Sequence, residues 1–170
     1  VLTAFPVPSS FIRVKGPSKT FYLSKDVSVD NMHFNSINGD VTITFDLNNE
    51  ANGGTTPRTL SAKFASAAAY TLRASTFGRV QVVSGTLNCL DAFQIDGAGC
   101  ALAVSGSTAH VTGPVTAGYI ASGTCFEVVD GATYSGKLSI GRVNNPSSDT
   151  LVRVANGGKI TLTDGLVYMS

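Results

Sequence analysis

The sequence predicts an all-β protein built as a parallel β-solenoid, and three observations lead to that fold class. Only 14% of the 170 residues are charged, whereas 43% are apolar and 18 are Gly. An average soluble protein has roughly 25% charged residues, so this composition favours strands and tight turns over helices. Short phrases of alternating apolar and polar residues also recur along the chain. Their spacing of roughly 20 to 35 residues is typical of stacked repeats.

The first recurring phrase is a Gly followed by a basic, an apolar, a polar and an apolar residue. It occupies residues 78–82, 136–140 and 158–162, and residues 101–105 form a looser copy without the basic residue. Alternation with a period of two is the pattern of a strand that buries one face. In a parallel solenoid each phrase would stack on its counterpart one coil later, about 4.8 Å away. The alternative is an antiparallel β-sandwich, in which the recurrence of the phrase would be accidental.

The second recurring phrase is a strand followed by Asp or Asn and then Gly. It occupies residues 125–131 and 151–157, and a shorter version occupies residues 92–97. Alignment on the Gly makes Asp130 the counterpart of Asn156. Asp and Asn before Gly are common turn formers, so each unit is predicted to be a strand, a glycine turn and a second strand.

Turn signals divide the chain near residue 55. Residues 1–55 are expected to form a small N-terminal β subdomain or lead-in, because prolines precede several short alternating strands. The Asn- and Gly-rich loop at residues 48–57 is the candidate boundary. Residues 56–170 are expected to form the solenoid. Within them, the Ala-rich residues 60–70 fit either a short helix that caps the first coil or a further strand.

Charge and cysteine usage argue against several partners. The net charge is +1 and the basic residues are scattered, whereas nucleic-acid binding depends on clustered Lys and Arg. Cys89, Cys100 and Cys125 lack the spacing of a zinc site, so buried free thiols are expected, with no metal and no cofactor. Free thiols favour assembly in a reducing cytoplasm. No apolar run approaches the length of a membrane span, so no membrane insertion is expected.

The phrases between about residues 70 and 170, with the low charge and abundant Gly, Ser and Thr, resemble the distal portions of bacteriophage tailspikes and tail fibres. The resemblance implies a homotrimeric β-structural assembly within the phage virion that contacts a bacterial surface polysaccharide. In some members of these families the glycan is also cleaved. A purely structural shaft without a ligand is a further possibility, because the charge distribution has no distinctive feature.

Glycan cleavage would need suitable acids or a base. Hydrolysis usually requires two carboxyl groups about 5 to 9 Å apart across the scissile bond. Asp96 and Asp130 both precede a Gly, so stacked coils could bring them together. The competing interpretation, which we favour, is that each Asp simply forms its turn. A lyase mechanism would instead need a base such as His110 or Tyr119, although a single His in such a sequence is more often a surface or packing residue.

Glycan binding without cleavage has its own candidates. Arg79, Lys137 and Lys159 follow a turn Gly out of phase with the buried residues, so they could form a row that binds acidic sugars. The competing interpretation is that these charges protect strand ends against edge pairing. The chain has no Trp, so Tyr119 and Tyr134 are the candidates for stacking on sugar rings.

The end of the sequence predicts a homotrimer. Residues 166–169 are four large apolar residues, and no charged residue follows Asp164. An exposed cluster of this kind on a weakly charged protein would promote aggregation. Contact with two symmetry mates would bury the cluster, and closed cyclic symmetry would prevent the contacts from growing into fibres.

Overall fold

A computed structural model describes residues 11–14, 17–29, 31–36, 41–48, 55–63, 72–74, 78–95, 98–118, 123–140 and 149–167. These residues form sixteen strands, and no helix occurs among them. All the strand pairs are parallel. The parallel β-solenoid is therefore confirmed, and the antiparallel sandwich is wrong.

The sixteen strands have the following bounds along the chain. They are β1 (Phe11–Val14), β2 (Lys19–Phe21), β3 (Val27–Val29), β4 (Asn31–Ser36), β5 (Val41–Asp46), β6 (Thr59–Ala62), β7 (Leu72–Ala74), β8 (Gly78–Cys89), β9 (Phe93–Ile95), β10 (Ala101–Ser105), β11 (Ala109–Thr112), β12 (Val115–Ala117), β13 (Cys125–Val129), β14 (Thr133–Ile140), β15 (Leu151–Ala155) and β16 (Lys159–Val167).

Stacking of the coils arranges these strands in three columns. Column one contains β2, β5, the first part of β8, β10, β13 and β15. Column two contains β3, β6, the second part of β8, β11 and the first parts of β14 and β16. Column three contains β1, β4, β7, β9, β12 and the second parts of β14 and β16. From β2 onward each coil thus contributes one segment to each column, and β1 is an additional segment of column three.

Like residues stack on like residues inside the solenoid. Alternate positions of each strand point inward and form apolar rows that run along the axis, as expected for a period of two. Two inward rows of column one are Ile43, Val80, Leu102, Phe126 and Val152, and Phe45, Val82, Val104, Val128 and Val154. All of these are buried except the two residues of the last coil. Burial of such side chains contributes about 1.5–3 kcal/mol each, so these rows contribute substantially to the stability of the fold.

The second recurring phrase has the register that the sequence predicts. Cys125 pairs with Leu151 in the next coil, 26 residues later. Asp130 and Asn156 occupy equivalent turns, with φ values of 58° and 51°. Non-glycine residues rarely adopt this left-handed conformation, but Asp and Asn tolerate it best. This part of the repeat alignment is therefore confirmed.

The first recurring phrase is only partly a structural repeat. Residues 78–82 stack on residues 101–105 in column one, as expected. Residues 136–140 span columns two and three, and residues 159–162 lie in column two. The expectation that all four copies stack on one another was wrong. Every column has the same alternation of apolar and polar residues, so copies from different columns look alike in sequence. Alternation identifies a strand but does not identify its column.

The N-terminal strands stack on the later ones in register. Strands β5 and β6 both pair with β8, so the pairing continues across residue 55. The division into a subdomain at 1–55 and a solenoid at 56–170 stays a prediction. Residues 59–62 form strand β6, which fits the strand alternative, whereas residues 64–70 of the Ala-rich stretch lie outside the described residues.

The bend between columns two and three gives the first testable prediction. Gly113 has a φ of 96°, and a β-carbon there would overlap the carbonyl oxygen of Cys89 in the coil below. Gly157 has a φ of 78°, and a β-carbon there would make only ordinary contacts, the nearest at 3.9 Å. Gly157→Ala should therefore lower the free energy of unfolding only by the cost of a left-handed backbone at Ala, about 1–2 kcal/mol. Gly113→Ala adds a clash with the backbone and should lower the free energy of unfolding by about 3 kcal/mol or more. Denaturant midpoints would measure both losses, and equal losses would contradict this close packing of coils.

Candidate functional site

The outward side of column two carries two parallel rows of polar side chains. They come from β6, β8, β11 and β14, which lie one above another in register. We call the following eight residues the polar face: Thr59, Ser61, Thr86, Asn88, His110, Thr112, Thr133 and Ser135. None of the eight is Asp, Glu, Lys or Arg. Seven are half-buried and Ser135 is exposed, so the rows are accessible from outside the solenoid.

Strand alternation places these residues on the outside. The residues between them in sequence, which include Leu60, Leu87, Val111 and Tyr134, are buried in the core. Because neighbouring side chains on a strand point to opposite faces, each polar partner must point outward. The local pattern is therefore a polar residue, a core residue and a second polar residue in every coil.

Hydrogen bonds between coils fix part of the polar face. Asn88 Nδ2 donates to Ser61 Oγ at 3.2 Å, and Thr112 Oγ1 donates to Asn88 Oδ1 at 2.8 Å. His110 Nδ1 lies 2.7 Å from Thr133 Oγ1 in the adjacent coil. A side-chain amide has two donor hydrogens and two acceptor lone pairs. In these contacts Asn88 uses one of each, so its orientation is set while further hydrogen-bonding capacity is left.

The outward side of column one has a different chemistry. Arg79 Nη2 donates to Glu127 Oε2 at 2.7 Å, and Arg153 Nη1 lies 3.7 Å from Glu127 Oε1. Ala101 and Ala103 lie in the coil between Arg79 and Glu127 and are both buried, although they point outward. The Arg79 side chain crosses this coil of small residues to reach Glu127. These groups form an ionic cluster in which one carboxylate balances one of two guanidinium groups.

The cysteines are poor nucleophiles in this structure. Cys125 lies beside Glu127, and burial followed by the Glu127 charge raises the pKa of its thiol to about 11. Burial alone raises the pKa of Cys89. Because the thiolate is the reactive form, neither residue is activated for catalysis. All three cysteines are free.

The three basic candidates do not form a row. Arg79 lies in column one and is paired with Glu127. Lys137 lies near the bend of β14, where its Nζ is 3.0 Å from Asp164 Oδ2. Lys159 begins β16 and pairs in register with Thr133, so it extends one row of the polar face into the last coil. The expected alignment of these three residues along one edge was wrong because their phrases lie in different columns.

The two aspartates follow strands that belong to different columns. Asp130 accepts hydrogen bonds from Ser105 Oγ at 2.8 Å and Asn156 Nδ2 at 3.0 Å. These bonds lower the pKa of the Asp130 carboxyl, and the bond from Asn156 has the larger effect. This fits the turn-forming interpretation. Asp96 itself lies outside the described residues. The strand that precedes it, β9, belongs to column three, whereas β13 before Asp130 belongs to column one.

Tyr134 is a core residue and not a surface ligand for sugars, so that expectation was wrong. Its side chain is 0% exposed and packs edge-to-face on Phe126, with ring centroids 5.1 Å apart. Its hydroxyl contacts the carbonyl oxygens of Gly113 at 2.9 Å and Lys137 at 2.6 Å. The ring fills the core, and the hydroxyl provides a hydrogen-bond partner for backbone carbonyl groups at the bend. Tyr119 lies outside the described residues.

The sequence contained a signal for the polar face that the candidate residues above largely miss. The pairs Thr59 and Ser61, Thr86 and Asn88, His110 and Thr112, and Thr133 and Ser135 each flank one core residue. Of the eight residues of the polar face, only His110 is among the candidates predicted from the sequence, as a base for a lyase mechanism. The other seven are individually ordinary turn or strand residues, and they become a site only when the coils stack.

Comparisons with protein-family models, with curated proteins and with solved structures each returned no match to this chain. The fold therefore defines its class, a parallel β-solenoid, without a family. In the described part of the chain, no group of three or more His, Cys, Asp and Glu is positioned to hold a metal ion. None of the described residues belongs to a helix with the length and hydropathy to span a membrane.

The ionic cluster predicts a specific change in the reactivity of Cys125. With a pKa of about 11, its alkylation by iodoacetamide should be slow at pH 8 and should accelerate with each pH unit up to about 11. Glu127→Gln removes the charge that raises this pKa and leaves Arg79 and Arg153 nearby. The rate at pH 8 should therefore rise about three- to tenfold, since one pKa unit is tenfold in thiolate. Mass spectrometry of the peptide that contains Cys125 measures its rate of alkylation.

A matched control separates this effect from loosening of the fold. Asp164→Asn also removes an ion-paired carboxylate, the one that contacts Lys137, but it lies in β16 and not beside Cys125. It should leave the alkylation rate unchanged. A rate that rises equally in both variants, or falls in Glu127→Gln, would contradict the electrostatic account.

Proposed function

We propose that this chain is an attachment module of a bacteriophage tail that binds a bacterial surface polysaccharide as a homotrimer. The polar face is the observation that carries the proposal. Sugar rings display many hydroxyl groups, each a donor and an acceptor, and the Ser, Thr, Asn and His side chains of this face have the same dual character. A polysaccharide is also a repeating polymer, and the face repeats through four successive coils.

Rigidity of the face supports binding as its role. The side chains lie on strands that pair on both sides, and Asn88 and His110 are held by bonds to neighbouring coils. Ordering side chains at a binding surface costs about 0.5–1.5 kcal/mol for each mobile group. Groups that are already ordered avoid most of this cost, so weak contacts with hydroxyl groups can add up to useful affinity.

The contacts of two carboxylates, Glu127 and Asp130, support attachment over cleavage. Glu127 is only 14% exposed and lies against two Arg side chains. Asp130 is tied to its turn by two hydrogen bonds. Glycoside hydrolysis usually needs two carboxyl groups across the scissile bond, whereas these two are held in structural contacts. The polar face itself contains no carboxylate.

A trimer fits the expected affinity. The polar face carries no aromatic ring besides that of His110, so stacking on sugar rings would contribute little. Contacts made only of hydrogen bonds in water are weak, about 0.5–1.5 kcal/mol each. Three copies that engage one polymer raise the effective concentration and thus the overall strength of binding.

A glycan array read together with an assay for new reducing ends tests the function. The chain should bind at least one bacterial polysaccharide and release no reducing ends from it. Binding accompanied by reducing-end release would replace attachment with a polysaccharide-degrading function. Absence of binding to the whole array would favour a purely structural shaft.

The oligomeric state gives a separate prediction. Leu151, Val154 and Leu162 in the last coil are 54%, 48% and 53% exposed, so this end of the solenoid presents apolar side chains. The side chains of residues 166–169, on which the sequence expectation depended, lie outside the described residues. Size exclusion with light scattering, at low micromolar chain, should give three times the 17.5 kDa chain mass. A stable, folded monomer would refute the trimer.

A further inference from the structure

We infer that the polar face binds a neutral, linear glycan whose chain runs along the solenoid axis. The inference rests on the proposed function and specifies the class of glycan and its site. It differs from the acidic glycan that a row of Arg79, Lys137 and Lys159 would have bound.

The direction of the glycan follows from the geometry of the rows. Equivalent side chains recur along the axis at the strand spacing of about 4.8 Å. The two rows lie two residues apart on each strand, which is about 6.6 Å. One row contains Thr59, Thr86, His110 and Thr133, and the other contains Ser61, Asn88, Thr112 and Ser135. A repeating chain laid along the axis meets the same kind of group at each coil, whereas a chain laid across it meets only one coil.

The neutral character follows from the charges around the face. An acidic group bound at its centre would lose water without gaining a cation, which is costly. The guanidinium group of Arg79 is on another column and contacts Glu127, and Lys137 contacts Asp164. Lys159 lies at one end of the face, in register with Thr133. Asp26 lies at the other end, where its Oδ1 accepts a hydrogen bond from the Thr59 N–H at 2.9 Å. The four coils that carry the eight polar residues therefore suit hydroxyl groups and not carboxylates.

Asn88 is the principal specificity residue in this arrangement. It is held from both sides by Ser61 and Thr112, so its second N–H and second lone pair have a fixed direction. A donor and an acceptor on one rigid amide can pair with two neighbouring sugar hydroxyls. Loss of that pair leaves the glycan hydroxyls without partners, which is more costly than the loss of the contact alone.

An array of neutral and acidic bacterial oligosaccharides, probed with the full chain at low and high salt, tests the class of glycan. The expected result is binding to neutral members with little change between the two salt concentrations. Preferential binding to acidic members that weakens with salt would overturn this inference and leave the proposed attachment function standing. Absence of binding to any member would overturn both.

Paired variants test the site on the best neutral glycan of the array. Asn88→Ala with Thr112→Val should weaken binding about tenfold to a hundredfold, the value of one to two hydrogen bonds. The matched control is Gln81→Ala with Thr44→Val, which removes an equivalent bond between coils on column one, 3.0 Å from Gln81 Nε2 to Thr44 Oγ1. The control should bind normally, and so should Lys159→Gln.

The remaining outcomes also decide the matter. Equal losses in the two double variants, or normal binding by Asn88→Ala with Thr112→Val, would overturn the assignment of the polar face. A loss confined to Lys159→Gln would overturn the neutral class. If Asn88→Ala with Thr112→Val fails to fold by circular dichroism, Thr86→Val alone on the same face replaces it, with a weakening of about threefold to tenfold expected.

Discussion

Parallel, in-register pairing between successive coils is the interaction on which the rest of this structure depends. It satisfies the backbone groups of each strand through the strands above and below, and it brings residues 22 to 26 positions apart in the later coils into direct contact. Once the register is set, one apolar position per strand becomes an apolar row through the core. Tyr134 illustrates the constraint, because its ring must fill a core row while its hydroxyl bonds the backbone at the bend.

The same stacking gives the outer surfaces their separate chemistries. Column one gathers Arg79, Glu127 and Arg153 into an ionic cluster across a coil of alanines. Column two gathers hydroxyl, amide and imidazole groups without a formal charge between β6 and the first part of β14. Exposed ion pairs of this kind stabilise a fold only modestly. An uncharged polar surface with unused donors and acceptors is better suited to bind a neutral partner rich in hydroxyl groups.

The sequence predicted the strands and part of their register, but not the arrangement of columns. Asp130 and Asn156 could be aligned because a strand followed by a left-handed turn leaves a recognisable pattern of residues. Lys137 and Lys159 could not be placed, because period-two alternation is identical in all three columns and only the bends distinguish them. The prediction that Tyr134 lies on the surface was wrong because its hydrogen-bond partner at the bend, Gly113, is 21 residues earlier in the sequence. The polar face was missed because its members are distant in sequence and individually ordinary.

Distances along the solenoid axis test the central claim, that successive coils stack in register, most directly. Ser28, Ser61 and Thr161 lie in one outward row of column two. Five coil spacings separate Ser28 from Thr161 and four separate Ser61 from Thr161, or about 24 Å and about 19 Å. Pulsed electron paramagnetic resonance on spin-labelled cysteine pairs, diluted with unlabelled chain, should show the first distance to be longer by about one coil spacing. Equal distances, or a shorter one for Ser28 with Thr161, would contradict the stacked register and the polar face that depends on it.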